Sequence, residues 1–219
     1  MVQKIKTRGK ILTDGAEVID PKREKDLVHQ IVIDLKDTIR DKNLTYLTAP
    51  QIGYSKRILV INFNGDLRTF INPIITGMKG FTFQQETCNS IPKKRFVVPR
   101  ASKVDVMYTT PLGQYQSRTL LGLAATTIQH AIEHLDGTLI SLNGLEIDDD
   151  FLNASEEEQT EILKMYKESL LGRQELANKQ VNEDETAKQT SDAIDFMTKV
   201  NTGEVKLEKI KEQDNEENK

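Results

Sequence analysis

The stretch TTIQHAIEHLDG, Thr126 to Gly137, places His130 and His134 four residues apart. On a helix, that spacing puts both imidazoles on one side, about one turn from each other. Leu123, Ala124, Thr127, Ile128, Ala131 and Leu135 recur at helical intervals, which predicts a helix over roughly Leu121 to Leu135 with one face buried. The chain has three histidines and a single cysteine, Cys88. A thiolate and two imidazoles can grip a divalent ion and leave its fourth position open, as a catalytic metal requires. Composition alone leaves the other reading standing: one small buried hydrophobe and two histidines on a helix surface.

Elsewhere the pattern alternates between helix and strand. Leu27, Val28, Ile31, Val32, Leu35 and Ile39 give Glu24 to Asp41 a helical apolar stripe, with Pro21 suiting its start. RILVINF (Arg57 to Phe63) reads as a strand and Gly65-Asp66 as a turn. LRTFINPIIT (Leu67 to Thr76) reads as a second strand that ends near Pro73. Val97-Val98 and KVDVMYT (Lys103 to Thr109) continue the strand texture, and PLGQ (Pro111 to Gln114) predicts a hairpin turn before YQSRTL. Ser155 with Glu158 is a capping-box signature for a further helix, in which Leu163, Tyr166, Leu170 and Leu171 face inward and which Gly172 would end. The expected organisation is an α+β domain over residues 1–150, a C-terminal helix packed on it over 151–172, and a charged extension over 173–219, flexible or ordered by a partner.

The formal charge of −4 provides no general attraction for nucleic acid or an anionic membrane. Eight Lys/Arg against twelve Asp/Glu from Arg173 to Lys219 account for the whole acidic excess. One cysteine excludes an intramolecular disulfide, so a reducing, cytoplasmic setting is expected. No window approaches the ~20 apolar residues of a membrane span, and the N-terminus lacks the apolar run of a signal peptide. His29 reads as a helix-surface or packing residue, and the basic run PKKRFVVPR (Pro92 to Arg100) as a source of an arginine partner for Glu86 rather than a nucleic-acid patch.

Three blocks in this order resemble the peptide deformylase family. TAPQIG (Thr48 to Gly53) is similar to that family's GxGLAAPQIG, ETCNS (Glu86 to Ser90) to its EGCLS, and QHAIEHLDG (Gln129 to Gly137) to its QHExDHLxG. The resemblance spans roughly Ile5 to Leu145 and includes the INP of Ile71 to Pro73. It implies small antiparallel sheets around a central metal-ligand helix. It also implies one divalent ion, Fe or Zn, held by Cys88, His130 and His134. Gln51 and the backbone N–H of Asn89 would face the oxygen of a bound formyl group, and Glu86 would support the ligands from behind. The family's reaction removes the formyl group from an N-terminal formylmethionine.

The departures from the family pattern cluster in the same place. Its glutamate after the first histidine, which takes a proton from the attacking water and passes it to the departing amine, is Ala131 here. A positioned acid–base group is worth ~10²–10⁴ in rate. Glu133 is the one nearby substitute. At about 100° per residue, it lies about 80° from the histidine direction, on the opposite flank from Ala131. HAIEH also fits the inverted zincin pattern HxxEH, in which that glutamate is the base, although nothing in the polar tail marks the distant third ligand. Leu44 and Tyr46 stand at the first motif's two glycines, Thr48 at an alanine, Thr87 at a glycine and Asn89 at an apolar residue. A tyrosine at position 46 is expected to fill the groove that a glycine leaves open to a peptide.

Three functions follow as expectations. The first is a deformylase-like protein without catalysis, reused as a structural, assembly or binding subunit through its C-terminal extension, for example in a virion. The second is a metal-dependent hydrolase of formylmethionine peptides with weakened or altered activity. The third is a metal-retaining binder of N-terminal peptides.

Overall fold

The computed structural model describes residues 1–170. The chain divides into two compact units, Met1–Ala154 and a second that begins at Ser155.

In the first unit, α1 (Lys25–Lys42) precedes β1 (Tyr46–Thr48), β2 (Ile58–Phe63), the long strands β3 (Asp66–Cys88) and β4 (Ile91–Thr109), and β5 (Tyr115–Leu121). Next come α2 (Leu123–Leu135), α3 (Ile140–Asn143), β6 (Leu145–Glu146) and α4 (Asp149–Asn153). The expected small antiparallel sheets are joined into one six-stranded sheet of order β1-β2-β3-β4-β5, with β6 on β4, and every strand pair in it is antiparallel. The turn before β3 has Asn64 and Gly65 at φ 53° and 96°, the left-handed pair that a two-residue hairpin turn favours.

The ILVI run of β2 explains how the layers stack. Leu59 and Ile61 join a core that includes Ala125, Ile128 and Leu135 of α2, while Ile58 and Val60 join one that includes Val28, Ile31 and Leu35 of α1. A strand covered on both faces reads as a continuous apolar run rather than an alternation. Ten of the thirteen residues of α2 are buried, so this helix lies inside the unit and its histidines lie with it.

One expectation is corrected. The strand does not end near Pro73; β3 continues through it to Cys88. Pro73 sits at a register shift between Ile71 and Ile74, where a residue without an N–H breaks no ladder bond. Beside it, Asn72 adopts φ 48°, and its side chain donates to the Ile19 carbonyl (2.8 Å) and accepts from the Ile19 N–H (3.1 Å).

In the second unit, a helix covers 156–170 among the described residues. Its capping box forms as the sequence predicts. Glu158 Oε2 accepts from the Ser155 N–H at 2.8 Å, and Ser155 Oγ accepts from the Glu158 N–H at 3.3 Å. Leu163, Tyr166 and Leu170 are half-buried. Leu171, the stop expected at Gly172 and the extension from 173 lie outside the described residues. No helix among the described residues is long and apolar enough to cross a membrane.

Candidate metal centre

Two elements distant in sequence meet at the site. β3 ends at Cys88, where the β3–β4 pairing shifts register, and α2 presents His130 and His134 with ring centroids 5.2 Å apart. Cys88 Sγ lies 3.2 Å from His134 Nε2, and one ligand atom from each of the three residues falls within 4.8 Å of the others. All three are buried. His130 Nδ1 is engaged by Glu86 Oε2 at 2.8 Å, while His130 Nε2 and His134 Nδ1 are buried without a hydrogen-bond partner. Burial pushes the Cys88 thiol up, but the neighbouring His130 and His134 imidazoles outweigh it and bring the group down to about 6. Burial likewise lowers His130, yet Cys88 and Glu86 raise it to about 9. Cys88 Sγ beside His134 Nε2, with His130 Nε2 buried and unpartnered, is a donor set that suits a divalent, borderline-soft ion such as Fe²⁺ or Zn²⁺. His29 is exposed on α1, away from this chemistry.

A buried arginine organises the back of the site. Arg100, 3% exposed, donates from Nε to Glu86 Oε1 (2.7 Å) and from Nη2 to Glu86 Oε2 (3.0 Å). Through Nη1 and Nη2 it also grips both oxygens of Glu133, the latter contact at 2.8 Å. Arg100, not Arg95, is therefore the partner of Glu86. Burial would raise Glu86, but His130 and Arg100 hold its carboxyl below the ordinary value. Burial would also discharge Arg100, but Glu86 and Glu133 raise its pKa and keep it charged. Removing the guanidinium would leave two carboxylates facing each other with little solvent. Glu133, the one candidate substitute base, has both oxygens committed to this ion pair.

The substrate side is built differently. Gln51, fully buried in the short 3₁₀ turn Pro50–Ile52, accepts at Oε1 from the Thr48 N–H and from Thr48 Oγ1, each at 3.1 Å. Its Nε2 donates to Ser90 Oγ at 3.2 Å, which fixes the amide toward the β3–β4 turn that carries Asn89. Asn89 itself is exposed. Sequence reasoning missed this Thr48–Gln51–Ser90 chain; the signal available was a hydroxyl residue in Gln51's own motif and another in the motif of Cys88. Ala131 is wholly buried in the same apolar cluster as Tyr46. Tyr46 lies against both imidazoles, its ring 5.1 Å from that of His130 and 6.4 Å from that of His134, and its hydroxyl is buried with no partner.

The family model described as polypeptide deformylase matches residues 2–143. A Dictyoglomus turgidum peptide deformylase is 34% identical over 131 residues, covering 60% of this chain and 82% of that protein. One from Desulfitobacterium hafniense is 37% identical over 112 residues, 51% of this chain and 75% of its own. The crystal structure of the class I type b peptide deformylase from Acinetobacter baumannii with Met-Ala-Ser bound superposes with a TM-score of 0.60 at 26% identity, over 65% of this chain and 98% of that one. With the matched region holding the strand-end cysteine, the histidine helix and the buried glutamine together, the chain belongs to the peptide deformylase family.

Proposed function

We propose that this protein is a metal-dependent hydrolase of N-terminal formyl groups whose activity is far weaker than a carboxylate at position 131 would support. Family membership supports the hydrolase reading over that of a purely structural subunit. The observation that carries the weakening is Ala131, a fully buried methyl where a proton-transfer group is needed.

Cys88, His130 and His134 would hold the ion, with Glu86 fixing the His130 ring through Nδ1. Bound there, it would supply Lewis-acid polarisation of the carbonyl and acidify water. The protein's own groups do the rest. The locked Gln51 amide and the Asn89 N–H orient the formyl oxygen and offset its developing charge, a kind of contact worth ~10²–10³ in rate. Glu133 stays bound to Arg100 through both oxygens. Neither Ala131 nor the committed Glu133 can pass a proton to the departing amine.

Deformylation of a formyl-methionyl peptide by the zinc- or iron-loaded protein tests this. Turnover should run ~10²–10⁴ below that of a relative with the glutamate. Turnover equal to that of the Desulfitobacterium hafniense enzyme under the same conditions would refute the weakening. Complete silence, with metal bound, would favour the second reading: a non-catalytic family member reused in the cytoplasm to bind N-terminal peptides or to serve as a structural subunit of a larger assembly such as a virion, with residues 173–219 engaging protein partners. Tyr46, whose ring packs against His130 at the position of a glycine in the motif this chain resembles, favours that reading.

A further inference from the structure

Buried polar atoms almost always find a partner, and leaving one unmet costs about 1–3 kcal/mol. Among the described residues four side-chain atoms are buried and unpartnered; Tyr46 Oη and His130 Nε2 belong to neighbouring rings, while His134 Nδ1 is the ring nitrogen other than the one that meets Cys88. Tyr46 is 8% exposed and lies against both imidazoles. Tyr46 and Ala131, a large ring and a methyl, lie within one apolar cluster.

The geometry points to Tyr46 as a fourth protein ligand, its phenolic oxygen taking the coordination position that Cys88, His130 and His134 leave open. This deepens the metal-binding part of the function proposed above and rests on it. The cause is local. β1 runs antiparallel to β2 beside α2, so a long side chain at position 46 on the α2 side must pass the two histidines. On binding, the O–H bond breaks, the proton leaves to solvent and an oxygen–metal bond forms. Three protein ligands with an open position typify catalytic zinc sites, and four typify structural ones. A tyrosine at position 46 would thus turn the first kind into the second, or force water and substrate to displace the phenol.

Zn²⁺ titration of the full chain tests this, since zinc is spectroscopically silent and the wild type alone gives an answer. Ultraviolet difference spectra should show one tyrosine becoming phenolate per ion bound, and Tyr46→Phe should abolish the signal. By chelator competition, Tyr46→Phe should bind Zn²⁺ at least ~10-fold more weakly, since even a lost supporting contact costs that much. Without metal, Tyr46→Phe should melt no lower than the wild type, because the atom it removes has no partner to lose. Zinc binding without a phenolate signal, a signal that persists in Tyr46→Phe, or equal affinities in the two proteins each overturns the ligand assignment and leaves metal binding intact. If neither protein binds zinc, the metal-binding reading falls as well.

Discussion

The two flanks of the site are packed in opposite ways. Behind the ligands, Glu86, Arg100 and Glu133 form a closed ion-pair set in which every carboxylate oxygen has a guanidinium partner. In front of them, Ala131 offers no polar atom, Tyr46 presents an unpaired hydroxyl, and the exposed turn carries Asn89. The rear half retains everything needed to hold a buried ligand set. The front half lacks the group that moves protons. The support shell is also part of the core, so its loss would cost the fold.

The largest effect should come from restoring the front. Ala131→Glu combined with Tyr46→Gly should raise deformylation by up to ~10²–10⁴, whereas Ala131→Glu alone should raise it little and destabilise the protein by about 1–3 kcal/mol, because the carboxylate must enter a filled cluster. A double-mutant cycle on both rate and urea stability reads this coupling; additive effects would mean that the two positions do not share space.

Breaking the rear should rank next. Arg100→Ala should cost about 3–5 kcal/mol in urea unfolding, the usual toll of stranding buried charge. A loss below 1 kcal/mol would show that Glu86 and Glu133 find water or each other. The rear should also respond to acid. The folded pKa of Glu86 lies below its ordinary value, so the group stabilises the metal-free protein fully above about pH 4.3 and loses that contribution as pH falls through the folded pKa. The stability gap between wild type and Glu86→Gln should therefore close on acidification. A gap that widened would reverse the sign assigned to the ion pair.

The smallest effect belongs to Thr48→Ala, which removes one of two donors to Gln51 Oε1 and should cost roughly 0.5–1.5 kcal/mol. The change should leave zinc affinity untouched.

How much of this was legible in the chain depended on the kind of signal. The histidine helix was readable because its apolar spacing and its ligand spacing share one period, and β2 because its run is apolar without a break. The Ser155–Glu158 cap was readable because its partners are three residues apart. Pro73 misled because a proline's cost to a strand depends on pairing register, which the chain does not print. Arg100 could be narrowed to two arginines but not chosen, since its partners lie 14 and 33 residues away. That Tyr46 would fill the space of a glycine was foreseeable; that its hydroxyl would end unpaired against both imidazoles required the third dimension.

The site joins the end of β3 to a helix 46 residues further along the chain. An ion gripped by both would act as a removable staple across that span, tying down the hairpin tip that bears Cys88 and Asn89. Loading should then be visible far from any chemistry, as slower amide exchange along the β3–β4 ends, and stripping the ion should release that tip before the rest of the sheet.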